Sequence, residues 1–468
     1  MSTEATTNTA KAQPQFGVLA LVCACQFMVI LDASIVNVAL PSIRGDLGFT
    51  FTGLPWVVNG YLLAFGGFML VGGRAADLFG HRRTLRAGLL LFSAASLAAG
   101  LATTAETLVT ARVVQGMGAA MLAPATLAVI NNSFTGEHAR ARAFGAWSAS
   151  GGVGGMAGAL AGGALTTGLS WRWIFLINVP IGAVLIIASG MSLAGARPAL
   201  PGSLDLIGAL TATGGLAELT YGVMQSAPHG WTSIRVVQPV VTGLLLFVAF
   251  VMVEARHADR PIMPLRLFRT RDVAIGSGML LLFGGIAIAM WYFTSLFLQN
   301  VLDYNALRAG LGQTPAAVTF LVVARWTSVL LPRVGVRNAV LAGCGCFMAG
   351  FGWLAQAGTD CAYLIDVLGP TLLIATGIGL TFPSLMAATT ADVPEDDAGI
   401  IGGLAQTATQ VGGSVGLAVL ASAAGTKAAT EDSPAALAAG YDLAFLMAAA
   451  LALTLALAAL RLPRHHRS

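Results

Sequence analysis

The sequence is poor in charge, since Asp, Glu, Lys and Arg together make up 10% of its 468 residues, whereas a soluble domain carries about 25%. Hydrophobic residues make up 56% of the chain. They form runs of about 20 residues, without the alternation of polar and apolar side chains that is typical of a barrel strand. The chain is therefore predicted to be an all-α integral membrane protein surrounded by a lipid bilayer.

The sequence also lacks the residues that several functions need. It has no Gly-x-x-x-x-Gly-Lys-Ser/Thr phosphate loop, which argues against an ATP-driven pump, and no candidate filter or ring of charges for a channel. All six histidines lie in predicted loops or tails, so an enzyme with a catalytic cluster inside a span is not expected. The Cys-x-Cys pairs at 23–25 and 344–346 place their thiols on opposite faces of a helix, which argues against a metal site. We expect no metal, no cofactor and no nucleic-acid partner.

The apolar runs predict fourteen transmembrane helices. They lie at residues 16–38, 54–72, 84–103, 107–130, 143–167, 173–195, 204–226, 236–254, 272–297, 308–330, 336–357, 362–386, 399–424 and 441–460. An even number places both termini on the same side. The loops and tails of that side hold 18 of the 25 Lys and Arg residues, and the other loops hold 5. Because positive loops stay in the cytoplasm, we expect a multi-pass protein of the cell membrane with both termini cytoplasmic.

The second half of the chain repeats a sequence pattern of the first. Gly116-Met117-Gly118 and Pro124 in the fourth span match Gly377-Ile378-Gly379 and Pro383 in the twelfth. This spacing predicts two six-helix bundles in tandem repeat plus two inserted helices, an architecture typical of transporters that bind near mid-membrane. The predicted parts are a disordered cytoplasmic tail (1–15), an N-terminal bundle (16–195), two inserted helices with a basic cytoplasmic linker (196–271), a C-terminal bundle (272–460) and a cytoplasmic tail (461–468).

Two opposite charges lie inside the first and fourth spans. Each costs about 2.5–3.5 kcal/mol to insert. Asp32 and Arg112 both lie about six residues from the outer end of their spans, about 9 Å deep at 1.5 Å per residue, so they can offset each other's cost. We predict that Asp32 is a proton-coupling site and that Arg112 tunes its protonation, directly or through Gln115. The alternatives are a structural ion pair, an acid held by its neighbours' hydrogen bonds, or an arginine that snorkels to the surface.

Other polar and aromatic side chains are candidates for substrate contact. Gln406 and Gln410 lie on one face of the thirteenth span, and Asp366 is a candidate second carboxylate. Tyr61 belongs to a group of Met and aromatic residues that suit an adaptable pocket. Arg325 is expected to snorkel. Packing, lipid contact or interhelical hydrogen bonds are the alternatives for each. The complete predicted substrate-binding set is Asp32, Asn59, Tyr61, Gln115, Asp366, Gln406 and Gln410.

The loop after the second span, residues 73–83 (GRAADLFGHRR), has turn-forming glycines, one acid and a basic cluster. On residues alone it could be an ordinary cytoplasmic loop. It resembles the signature loop of the major facilitator superfamily. That resemblance implies that Asp77 and Arg83 form a conformational latch and that Gly73 and Gly80 allow the turn.

The fifth span carries a stripe of small residues at Gly154, Gly158, Gly162 and Gly163. Such a stripe can simply permit close helix packing. Its spacing resembles the glycine motif of exporters in the same superfamily, although Ala159 stands where that motif has proline. The segment that begins at Arg112 resembles the superfamily's fourth-helix motif, whose arginine is associated with proton transfer.

Five further segments resemble the fourteen-helix drug:proton antiporter family: residues 31–41 (LDASIVNVALP), 56–61 (WVVNGY), 171–180 (WRWIFLINVP), 264–269 (PLRLFR) and 410–413 (QVGG). The resemblance implies an exporter of amphipathic, often cationic or aromatic, compounds that is driven by the proton gradient, with the acid at position 32 tied to coupling and cation recognition. We expect the protein to be a monomer. Export of one endogenous metabolite or antibiotic is the main alternative. A proton-coupled importer is disfavoured by the glycines of the fifth span.

Overall fold

The computed structural model describes residues 9–134, 136–192, 205–256, 270–359, 361–390, 398–428 and 434–462. All regular structure in these ranges is helical. The helices are α1 (Thr9–Leu47), α2 (Trp56–Phe79), α3 (His81–Gly100), α4 (Ala105–Ser133), α5 (Glu137–Gly168), α6 (Trp173–Leu176), α7 (Asn178–Ser192), α8 (Leu206–Met224), α9 (Ser226–His229), α10 (Ile234–Arg256), α11 (Arg271–Asn300), α12 (Ala306–Val334), α13 (Val336–Leu354), α14 (Gly369–Thr390), α15 (Ala398–Ala428) and α16 (Pro434–Ala459), with a π-helical turn (Tyr363–Leu368) before α14.

Each of the fourteen predicted spans overlaps a helix. The sixth span is divided into α6 and α7, and the twelfth combines the π-helical turn with α14. Within the described residues, ten helices are long and apolar enough to cross a membrane. The helices extend beyond the apolar spans, and α1 already begins at Thr9, so the last seven residues of the predicted tail are helical. Residues 1–8, 193–204, 257–269 and 463–468, which contain the rest of both predicted tails and much of the predicted linker, lie outside the described residues.

The helices before and after the inserted pair pack in matching patterns. In the first set, α1 lies along α5, and α4 packs against both α2 and α3. In the second set, α11 lies along α15, and α14 packs against both α12 and α13. We call these two sets (α1–α7 and α11–α16) the first and second halves. Their buried apolar side chains form a continuous core that includes residues of both halves.

The inserted helices α8 and α10 pack on each other, and α8 also contacts α2 of the first half and α15 of the second. The Asn59 amide nitrogen on α2 donates to the Met224 sulfur at the end of α8, at 3.7 Å. The hydroxyls of Ser226 in α9 and Ser422 in α15 lie 2.7 Å apart. The inserted pair therefore covers the seam between α2 and α15.

The two halves meet near one end of the bundle. We call the end where α2 meets α3, at residues 79–81, the basic end, and the end where α1 meets α2, at residues 47–56, the opposite end. Towards the opposite end, the Ser295 hydroxyl donates to the Asn37 carbonyl at 2.9 Å, and the Gln299 amide donates to the Val38 carbonyl at 3.1 Å. These bonds join α11 to α1, so this end is closed.

The same end is also closed by close packing between α5 and α12. A Cβ built at Gly163 would lie 2.6 Å from the Ala306 carbonyl oxygen, and one at Gly310 would clash with the Ala159 carbonyl. The Thr167 hydroxyl accepts a hydrogen bond from the Leu307 amide at 3.1 Å. Glycine is therefore needed on both helices for this close backbone approach.

Candidate functional site

A cavity of about 3260 Å³ lies between the two halves and opens at the basic end. Its walls come from α1, α2, α4 and α5 of the first half and from α11, α12, α14 and α15 of the second. At its mouth lie Asp77, His81 and Arg82, where α2 passes into α3. The contacts between α1 and α11 and between α5 and α12 close it at the other end. The cavity is therefore accessible from one end of the bundle and closed at the other.

The first half encloses a buried polar network centred on Asp32. One carboxylate oxygen, Oδ2, accepts from Arg112 Nη1 at 2.6 Å. The other, Oδ1, accepts from Gln115 Nε2 at 2.7 Å and from Asn178 Nδ2 at 2.8 Å. Gln115 Nε2 also donates to the Ser96 hydroxyl at 2.7 Å. Side chains from α4 and α7 thus bind one carboxylate of α1, and α3 joins the network through the bond between Ser96 and Gln115.

This network is arranged around an ionised carboxylate. Three N–H groups point at its two oxygens, and charge-assisted bonds of this kind are about twice as strong as neutral ones. Asp32 is 0% exposed and Arg112 is 1% exposed. Removing one partner of such a buried pair costs about 3–5 kcal/mol, because the other charge is left without compensation.

Arg112 is held by more than the acid. Its Nε donates to the Val57 carbonyl at 3.0 Å, and Nη1 also donates to Gln115 Oε1 at 2.7 Å. Its guanidinium carbon lies 4.3 Å from the centre of the Tyr61 ring and 5.6 Å from that of Phe175. Arg112 and Tyr61 both line the cavity, whereas Asp32 does not. The acid is therefore separated from the cavity by its own partner.

The glycines of α5 set the position of α1 beside this network. Cβ atoms built at Gly154, Gly158 and Gly162 would lie 2.7–2.8 Å from the carbonyl oxygens of residues 27, 31 and 35. The three glycines of α5 and the three carbonyl groups of α1 each recur every four residues. The face of α5 that carries these glycines therefore lies along one row of residues on α1. Gly163 points to α12 instead. The predicted stripe thus serves two contacts, one with the helix that carries Asp32 and one with the second half.

The structure brings together only part of the predicted substrate-binding set. Tyr61, Gln406 and Gln410 line the cavity, and Gln115 lies behind its wall in the Asp32 network. Asn59 does not reach the cavity, because it faces α8. Asp366 does not reach it either, because its carboxylate lies in the exposed π-helical turn and accepts from the Ala362 amide at 2.7 Å.

Three of the four predicted latch residues line the mouth of the cavity. Gly73, Asp77 and Gly80 line it, and Gly80 has φ of +88°, which allows α2 to end and α3 to begin at once. Asp77 is exposed and forms no ion pair with any residue that the structure describes; its nearest positive neighbours are His81 and Arg74. Arg83 is exposed and does not line the cavity.

Three residues of the site were not predicted to take part in it. Asn178 belongs to the segment 171–180, and Ser96 lies in an apolar span; both complete the Asp32 network. Arg325 was expected to snorkel, but it lines the cavity. In the described part of the chain, no group of three His, Cys, Asp or Glu residues is arranged to hold a metal ion.

The sequence matches the family model described as Major Facilitator Superfamily over residues 22–417. This chain belongs to the major facilitator superfamily. Members of this superfamily are multi-pass membrane transporters and not enzymes, which agrees with the apolar helices and with the cavity between two halves.

Two characterised superfamily members are similar over most of the chain. The cephamycin export protein CmcT of Amycolatopsis lactamdurans is 43% identical, with 99% of this chain and 96% of that protein covered. The puromycin resistance protein pur8 of Streptomyces alboniger is 38% identical, with 86% and 80% covered. Among solved structures, an auto-inhibited POT family peptide transporter superposes with a TM-score of 0.68 at 15% identity, with 97% of this chain and 98% of that chain covered. This last similarity concerns the fold alone.

Proposed function

We propose that this superfamily member is a proton-coupled antiporter that exports amphipathic compounds, among them antibiotics, from the cytoplasm by alternating access. The observation that carries the proposal is the buried Asp32–Arg112 pair, which lies directly behind the wall of a cavity with one opening. The names of the two relatives refer to cephamycin export and puromycin resistance, which supports small antibiotics as cargo.

The proposed orientation follows from the distribution of positive charge. The basic end carries the loop at residues 79–83 and belongs to the side that holds 18 of the 25 Lys and Arg residues. We therefore assign the basic end to the cytoplasm, and the conformation described above is inward-open. Export then requires the closed end to open, by separation of α1 from α11 and of α5 from α12, while the basic end closes.

The proposed coupling step is a change of partner for Arg112. A proton on Asp32 Oδ2 would replace an acceptor with a donor that faces Arg112 Nη1, so the ion pair would break. Arg112 would keep its bonds to Val57 and Gln115 and its contact with the Tyr61 ring, but with a net positive charge at the cavity wall. Asp32 would take up a proton from the outside and release it to the cytoplasm once in each cycle. The cavity wall at Arg112 would thus alternate between a net positive charge and no net charge.

The test is substrate-dependent proton release in proteoliposomes that hold a pH-sensitive dye, with a cephamycin as the probe compound. We expect wild type to move protons when the cephamycin is added, and Asp32→Asn to bind the compound without moving protons. The matched control is Asp366→Asn, which removes a partly exposed carboxylate that does not line the cavity and should behave as wild type. Undiminished proton movement by Asp32→Asn would refute the coupling role of this residue.

A second candidate function is export of a single antibiotic. It is favoured by the similarity to the cephamycin export protein, which extends over 99% of this chain at 43% identity. Efflux measured in cells against a panel of unrelated antibiotics separates the two functions, since a dedicated exporter should lower the accumulation of one compound class only.

A further inference from the structure

The charged residues that line the cavity are mostly positive. Two carboxylates and five arginines, together with two histidines, contribute to its wall; they are Asp77, Glu254, Arg74, Arg82, Arg112, Arg142, Arg325, His81 and His138. Asp32 compensates the charge of Arg112, which leaves four arginines against two carboxylates in the wall. Low-dielectric walls concentrate the field of such a net charge. The cavity is therefore expected to attract anions and to repel cations.

The two carboxylates lie at the mouth and not in the interior. Asp77 is two residues from the end of α2, and Glu254 is two residues from the end of α10. The acids that the sequence suggested for cation binding are elsewhere: Asp32 is sealed behind Arg112, and Asp366 lies in the exposed π-helical turn. Among the described residues, no carboxylate faces the interior of the cavity, so a cationic ligand would find no ion-pair partner there.

Arg325 is the positive group that enters this interior from the second half. It lies nine residues before the end of α12 at Val334, about 13 Å along the helix axis at 1.5 Å per residue. Its neighbours on the same helical face, Leu321, Ala324 and Ser328, line the cavity as well. Its side chain is exposed, and it forms no ion pair with any described residue.

An arginine in such a position is a strong anion donor. Its planar guanidinium binds a carboxylate or sulfonate through two parallel N–H bonds. The surroundings suit the rest of an amphipathic molecule, because Trp147, Trp291 and Phe320 offer apolar surface and Gln406 and Gln410 offer amide groups.

We infer that the cavity selects amphipathic compounds that carry an anionic group, with Arg325 as the residue that binds this group. The inference rests on the proposed export function and assigns its substrate class, which differs from the cationic class that the family resemblance implied. Arg112 cannot replace Arg325 while Asp32 is ionised, because its charge is then compensated.

The inference is tested with two fluorescent probes that share one apolar group and differ in charge. Dansylglycine carries a carboxylate, and the N-(2-aminoethyl) amide of the dansyl group carries an ammonium. Binding is measured by fluorescence titration of the full-length protein in nanodiscs of uncharged lipid, at one fixed salt concentration, since charge contacts weaken with salt.

Wild type should bind dansylglycine more tightly than the cationic probe. Arg325→Gln should weaken dansylglycine binding by about ten-fold or more, because a hydrogen-bonded charge contact is lost, and should leave the cationic probe unaffected or more tightly bound. Arg325→Lys should retain binding within about three-fold, since the charge stays but the planar fork is lost. Arg333→Gln is the matched control, because it removes an arginine from the exposed last turn of the same helix, outside the cavity.

Three results would overturn the inference: a wild type that prefers the cationic probe, unchanged dansylglycine binding in Arg325→Gln, or an equal loss in Arg333→Gln. The failure of the proposed function has a different signature. If dansylglycine binds through Arg325 but no compound moves protons in the proteoliposome assay, the anion site stands and proton-coupled export does not.

Discussion

Replacing Gly163 by alanine should shift the protein away from the conformation in which the opposite end is closed. A Cβ at this position would lie 2.6 Å from the Ala306 carbonyl oxygen and 2.8 Å from the Leu307 Cα. Ordinary contact begins at 3.4 Å, so α5 and α12 would have to separate by about 0.8 Å at this point. The two atoms met by the new methyl group are backbone atoms, which cannot rotate away.

This separation of α5 from α12 destabilises only the conformation in which the two helices are in contact at the opposite end. Overpacking of a well-packed contact typically costs about 1–3 kcal/mol, and the conformation with the opposite end open lacks this contact. The equilibrium should therefore move towards that conformation by about ten-fold, since 1.4 kcal/mol corresponds to a factor of ten. The shift needs no change in the cavity or in the Asp32 network.

Distances between spin labels measure this equilibrium. Labels at Leu169 and Leu311, both exposed near the opposite end, require replacement of the five free cysteines. We expect Gly163→Ala to increase the population with a long distance between the labels. Gly145→Ala, on the same helix but with nothing within 4 Å of the new Cβ, should leave the distribution unchanged. Identical distributions for the two variants would show that close packing of α5 on α12 does not control the closed end.

Two further pairs of substitutions test the surroundings of the Asp32–Arg112 pair. Gly158→Ala should lower the melting temperature of the purified protein, because its Cβ would lie 2.8 Å from the Leu31 carbonyl oxygen. The control is Gly155→Ala, whose Cβ meets its nearest atom at 3.7 Å and which should melt as wild type. Equal melting temperatures for the two variants would contradict the packing argument. Tyr61→Phe should retain stability because the Tyr61 hydroxyl bonds to no described residue. Tyr61→Leu should lower the free energy of unfolding by about 1–2 kcal/mol, because the cation–π contact with Arg112 is lost. If Tyr61→Phe destabilises the protein as much as Tyr61→Leu does, this explanation is wrong.

The helices and the depth of the two charges could be predicted from the sequence. A span must supply about 20 apolar residues to cross the hydrocarbon layer, so each helix leaves a continuous signal. Counting residues along two spans placed Asp32 and Arg112 at one depth, and their contact at 2.6 Å confirms that they meet. The coupling role of the pair remains a prediction.

The direction in which each side chain points could not be predicted. Asn59 and Tyr61 are two residues apart on α2, which turns them about 200° from each other, and only Tyr61 lines the cavity. In a soluble helix, a polar face would distinguish the two directions. In a bundle whose outer surface contacts lipid, all faces of a helix are apolar, so the sequence does not show which face turns inward. For the same reason Asn178 was not predicted as a site residue, and the side chains of Asp366 and Arg325 were predicted to point elsewhere.

The inserted pair makes the two sides of the bundle unequal towards the bilayer. Helix α8 lies over the seam between α2 and α15, whereas no described helix lies over the seam between α5 and α12. A molecule that approaches the bundle from the lipid would therefore meet α8 on one flank, and only α5 and α12 among the described helices on the other. If the protein exports its substrate as proposed, that second flank is where we expect lateral entry into the cavity.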